Sequence, residues 1–154
     1  MLDKELSEAK KEISSLRMQV GLLNSEKIFE ENKEVIDGFT VVSAHFGDID
    51  KDTLLGITDK FRQTYWNTGG AIIASGTYNS KPYILASSTD NALDWGLDAG
   101  QIAKVSGVAL GGSGGGRPTL GQAGGKDASK LPEAREKGKE FVRDTIKKKR
   151  KRTK

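Results

Sequence analysis

Apolar side chains recur near the start of the chain at Leu2, Leu6, Ala9, Ile13, Leu16, Val20 and Leu23, in alternating steps of four and three. That spacing is the a/d seam of a heptad helix, and the residues between are charged or small. Two readings stay open: a coiled coil with a helix of another chain, or a helix lying on its own domain. A seam two residues wide per heptad is narrow for globular packing, which favours the partner. Leu6, Ile13, Leu16, Val20 and Leu23 are the candidate oligomerisation residues, and a homodimer through this helix is the expected use. Past Asn24 the pattern changes. Residues 39–46 form a β-branched and aromatic run that predicts a strand. Asp50 is placed to cap a helix through about Trp66, with Leu54, Leu55, Thr58, Phe61 and Tyr65 on one face. Residues 71–77 predict a second strand, 78–81 a turn and 82–88 a third strand. A helix from about Asp98 to Leu110 follows, and a last one from Leu131 toward Ile146 carries Leu131, Ala134, Phe141, Val142 and Ile146 on its apolar face. The expected fold is α/β: a short mixed sheet with packed helices behind a long coiled-coil-like helix. The division reads as a helical arm over 1–34, a globular domain over 35–146 and a basic disordered tail over 147–154.

Composition narrows the chemistry. With 154 residues, no Cys and a single His, there is no disulfide, no thiolate metal site and no His-paired zinc site within this chain. No apolar run is long enough to span a membrane and the N-terminus lacks an apolar leader, which together with the absent cysteines fits the cytoplasm. No cofactor is expected. His45 reads as a structural histidine within its strand. Asp90, Asp94 and Asp98 lack the spacing of a calcium loop and read as turn and helix-start residues. The net charge of +4 hides an asymmetry: from Lys130 onward the chain holds 12 Lys and Arg against 4 Asp and Glu, and the rest holds 13 against 17. A mildly acidic body with a basic end is a layout for polyanion binding. Seven of the last eight residues are Lys or Arg, beginning with Lys147, Lys148, Lys149 and Arg150. They would hold phosphate without reading sequence. Trp66, Tyr65 and Tyr78 are candidates for stacking on exposed bases, with Tyr65 the more core-like of the three.

Nine of the 19 glycines fall between Gly107 and Gly125. Embedded Arg117-Pro118, Gln122-Ala123 and Lys126-Asp127 distinguish this stretch from a flexible linker. Consecutive glycines at Gly114, Gly115 and Gly116 would let backbone N–H groups converge as an anion nest beside Arg117; a tight loop packing on the sheet is the competing reading.

The pattern Gly-Gly-x-Gly-Gly-Gly-Arg-Pro-x-x-x-Gln-Ala-Gly-Gly after a β-α-β-β segment resembles the C-terminal domain of alanyl-tRNA synthetases, one of the group found at the C-terminus of DHH-type phosphoesterases. The resemblance covers about residues 37 to 146, and the heptad helix resembles the end of the synthetases' helical dimerisation region. Phosphoesterase relatives commonly carry a histidine after the three glycines; here Arg117-Pro118 stands there, the synthetase-like version. The resemblance implies a non-catalytic part of an alanine–tRNA ligase that contacts the outer corner of tRNA, alanine-specific through the family, and links aminoacylation to editing. Gly114 to Arg117, Gln122 and Lys126 are then the RNA-binding candidates, together with the basic tail. The alternatives from the same residues are the substrate-binding half of a DHH phosphoesterase and a homodimeric module without RNA binding.

Overall fold

The computed structural model describes residues 8–10, 12 and 24–153 of the backbone, and side chains through Lys149. Of the heptad seam only Ala9 is among them, and it is exposed; Leu6, Ile13, Leu16, Val20 and Leu23 lie outside the described residues.

A helix over 24–32, α1, leads directly into β1 (Lys33–Ile36) and β2 (Phe39–Asp48). Asp37 and Gly38 close this hairpin with φ of 50° and 88°, the paired positive angles that match the twist of a two-residue turn. β1 is absent from the expected set of strands, and the boundary expected at 34/35 falls inside it. Phe29 of α1 is fully buried. Its ring meets Phe61 edge-on at 5.6 Å and Tyr65 at 6.2 Å, so the last two turns before β1 belong to the globular domain.

α2 (Lys51–Thr64) starts where Asp50 accepts from the Thr53 N–H at 3.0 Å. Its buried face is Thr53, Leu54, Ile57, Thr58 and Phe61. β3 (Gly70–Tyr78) and β4 (Lys81–Ser88) follow, joined by Asn79-Ser80 at positive φ. After the short α3 (Asp90–Leu93) comes α4 (Ala99–Ala109), capped by Asp98, which accepts from the Gln101 N–H at 3.1 Å. The last element, α5 (Leu131–Thr153), runs past Ile146 through the basic segment expected to be a disordered tail.

The glycine segment departs most from expectation. It forms β5 (Ser113–Gly116) and β6 (Leu120–Gly124), a hairpin on the sheet's edge. Strand order is β1-β2-β3-β4-β6-β5, antiparallel except for the β2–β3 pair bridged by α2. Alternation along the strands makes two cores. Val42, Ala44, Ile72, Ala74 and Leu85 face α1 and α2, while Val41, Ala71, Ile73, Ile84 and Ala86 face α4 and α5.

Candidate nucleic-acid interface

The glycine hairpin is closed by Arg117 and Leu120, which exchange both backbone bonds at 3.0 and 3.2 Å around Pro118-Thr119. In an extended, paired strand successive N–H groups point to opposite sides. They therefore do not converge, and the anion nest expected at Gly114 to Gly116 is not formed. Packing explains most of these glycines instead. A Cβ on Gly114 would stand 2.7 Å from the Ala103 carbonyl carbon, and one on Gly121 2.7 Å from the Ala103 Cβ, so the hairpin backbone lies directly on α4.

Gly115 is different. A Cβ there would meet nothing within 4 Å, and its φ lies outside the left-handed range. It points to the other face of the hairpin, where β6 and β5 extend beyond the cover of α2. That face is a shallow groove of about 1010 Å³. Its floor is Gly115, Gln122 and Gly124; its rim carries Arg117 at one end and Lys51, Tyr78 and Lys81, beside the carboxylates of Asp50 and Asp52, at the other. Arg117, Gln122, Lys51, Tyr78 and Lys81 are all exposed. Tyr83 forms one wall. Its hydroxyl donates to the Ile49 carbonyl at 2.6 Å, and burial, with Asp50 nearby, pushes its pKa up to about 12, so it stays neutral. Three cations against two carboxylates, around a largely glycine floor with the Gln122 side chain on it, leave a weakly positive surface open to a flat or ribbon-like polyanion. Lys51 and Lys81 were not singled out in the sequence, because only the fold brings them to this rim.

The remaining candidates separate. Val42, Ile72, Ser87 and Leu120 form one row across the sheet, which places the Arg117 turn at the end where β2 and β3 begin. α5 lies on the opposite face, with Arg135 at Ser43 and Arg143 at Glu34, opposite Val41. It thus runs antiparallel to β2, and its basic turns leave at that same end of the sheet. Lys126 is exposed beyond β6. Tyr65 is buried, its hydroxyl 3.3 Å from Glu30, whereas Trp66 is 70% exposed and Tyr78 56%. Trp95 packs on Phe39 with ring centres 5.3 Å apart. His45 Nδ1 lies 2.9 Å from Ser75 Oγ. Partial burial and then the nearby Arg135 guanidinium hold its pKa below the ordinary value, against a smaller opposing pull from Asp48. Asp98 is a helix cap, and among the described residues no group of His, Asp and Glu could hold a metal ion. No helix among them is long and apolar enough to cross a membrane.

Residues 38–144 match the DHHA1 domain family, and the chain belongs to it. Within that family its similarity runs to alanine–tRNA ligases. It is 34% identical over 146 residues to that of Oceanobacillus iheyensis, covering 95% of this chain and 16% of the relative. The Bacillus subtilis ligase is likewise 34% identical over 146 residues, 94% of this chain and 16% of the relative. The chain thus spans about one sixth of the length of these relatives. The crystal structure of the C-Ala domain from Aquifex aeolicus alanyl-tRNA synthetase shares the fold. Its TM-score is 0.62 at 23% identity, over 75% of this chain and 97% of that one. The chain corresponds to a non-catalytic, C-terminal part of such a ligase.

Proposed function

We propose that this chain binds tRNA, in keeping with the alanine–tRNA ligases it is similar to, and that it contacts the outer corner of the molecule. In that role it holds one tRNA for both the aminoacylation and the editing modules of a larger ligase. The N-terminal heptad helix serves as the arm that pairs with a second copy. The observation that carries this reading is the groove over Gly115. Gly115 and Gly124 are the hairpin positions where glycine has no packing reason, and Arg117, Lys51 and Lys81 share the groove rim with Asp50 and Asp52. The glycine backbone of the floor admits close approach of a sugar–phosphate strand, and the cations supply attraction without sequence reading.

Arg117→Ala removes one exposed charge and leaves the backbone unchanged. A charged hydrogen bond to phosphate is worth about 1.5 to 3 kcal/mol, roughly tenfold or more in affinity. The variant is expected to lose at least about tenfold in affinity for full tRNA with an unchanged melting temperature, and less on a minihelix holding only the acceptor stem. Normal tRNA binding by the folded variant would remove the groove from the interface.

A further inference from the structure

A second cleft lies on the same side of the sheet, at the far end of α2. It encloses about 720 Å³, within the range of roughly 300 to 1,000 Å³ typical of small-ligand sites. Trp66 stands on one side, with Arg62 and Asp59 one and two turns back along the helix; Asn67, Asp90 and Asn91 form the other walls. We propose that this cleft takes a single unstacked nucleobase of the bound RNA, held flat on the Trp66 indole. The proposal rests on the RNA-binding reading above and adds the moiety recognised.

Four observations carry it. Trp66 is the most exposed aromatic side chain among the described residues, at 70%. An indole face left in water next to a cleft is a stacking platform. The walls are planar polar groups already held in place. The Asn91 side-chain oxygen accepts from the Thr89 hydroxyl at 2.7 Å, and its amide lies 3.3 Å from the Asn67 carbonyl. Arg62 is incompletely satisfied: its terminal nitrogen reaches Asp90 only at 3.4 Å, and its Nε is buried without a hydrogen-bond partner. Finally, the cleft adjoins the Arg117 turn. The Thr119 carbonyl accepts from the Ser88 N–H at 3.3 Å and the Ser87 hydroxyl at 2.9 Å, one residue before Thr89 in the cleft wall. An RNA strand crossing the groove past Arg117 arrives here.

The charges decide which part of the RNA enters. Asp59 and Asp90 oppose a phosphate, so the backbone stays outside with Arg117 and the base points in. Carboxylates accept from exocyclic amino groups, which uracil lacks. The cleft therefore prefers a base with an amino group, such as guanine or cytosine, to uracil.

Trp95→Phe in the full chain leaves Trp66 as the only indole. Its fluorescence should be quenched as tRNA saturates, and left unchanged by an RNA duplex of similar length without unpaired bases. Trp66→Ala should weaken tRNA binding by roughly fivefold or more, the low end of the loss seen when a base-stacking ring is removed. Trp66→Phe should stay within about twofold, and both should melt like the wild type. Among free nucleosides, guanosine and cytidine should quench more than uridine; equal quenching by uridine removes the amino-group preference. Unchanged emission at saturation, equal quenching by the duplex, or full tRNA affinity in Trp66→Ala overturns the proposal. The last result is what a cleft for a protein partner would give. A wild-type chain that binds no tRNA defeats the RNA reading itself, whereas wild-type binding with an indifferent Trp66 defeats only this one.

Discussion

Adding one methyl group to the glycine hairpin should have opposite consequences at neighbouring residues. At Gly114 the new Cβ would lie 2.7 Å from the carbonyl carbon of Ala103 and 3.0 Å from the Ala123 side chain. Ordinary contact begins near 3.4 Å, so hairpin and α4 must part by the better part of an ångström. Backbone on one side and a paired strand on the other leave no flexible group to yield. Overpacking of this kind costs about 1 to 3 kcal/mol. For a chain of this length each kcal/mol moves the melting temperature by roughly 2 to 4 °C. Gly114→Ala is therefore expected to melt roughly 2 to 12 °C lower. At Gly115 the same methyl meets nothing within 4 Å and the backbone angle suits an L-residue. Loss of unfolded-state freedom then stabilises by up to about 1 kcal/mol. Gly115→Ala should keep or slightly raise the melting temperature, yet lose tRNA affinity, because the methyl stands on the groove floor. Thermal unfolding followed by circular dichroism, with filter binding on the same preparations, separates the two effects. A Gly115→Ala protein that melts well below wild type would show this glycine to be a packing residue after all. Full affinity in a stable Gly115→Ala protein would show that RNA does not approach the floor.

Truncation after Ile146 removes the basic turns of α5 and keeps its buried anchors Val142 and Ile146. Stability should hold, and if about four of the lost cations touch phosphate, the log–log salt slope of RNA binding should fall by roughly 3. An unchanged slope would mean that this end of α5 never meets RNA. His45 is held below its ordinary pKa in the folded state, so the unfolded chain takes up its proton first as the solution is acidified. Stability from this group is complete above about pH 6.5 and is lost as pH falls from there toward the folded-state value. Urea midpoints at pH 7.5 and 5.5 should diverge more for wild type than for His45→Gln; identical pH dependence would show that His45 does not couple to folding.

The local chemistry of the chain determined much of the frame. Asp50 and Asp98 are helix caps where their neighbours imply caps, and the apolar runs at 39–46, 71–77 and 82–88 are three of the four inner strands, because burial on both faces needs such runs. The apolar face of α5 was legible as Leu131, Ala134, Val142 and Ile146. The Gly-Gly-Gly-Arg-Pro pattern was enough to indicate the family. β1 was also within reach, since Asp37-Gly38 is a two-residue turn signal between extended segments.

The glycine segment is where local reasoning stopped. Glycine carries no side chain whose periodicity could report a strand, so Ser113 to Gly116 reads equally well as nest, loop or ladder. Only the approach of α4 within a methyl's width decides that Gly114 and Gly121 are packing residues and that Gly115 is not. Likewise nothing local couples Lys51 and Lys81 to Arg117, or Trp66 to Asn91. These are separated by tens of residues and meet because α2 covers β3 and β4 and leaves β6 and β5 bare. The residue types were set by the sequence. Which of them share a surface was decided by strand order, a property of non-local pairing that no single segment contains.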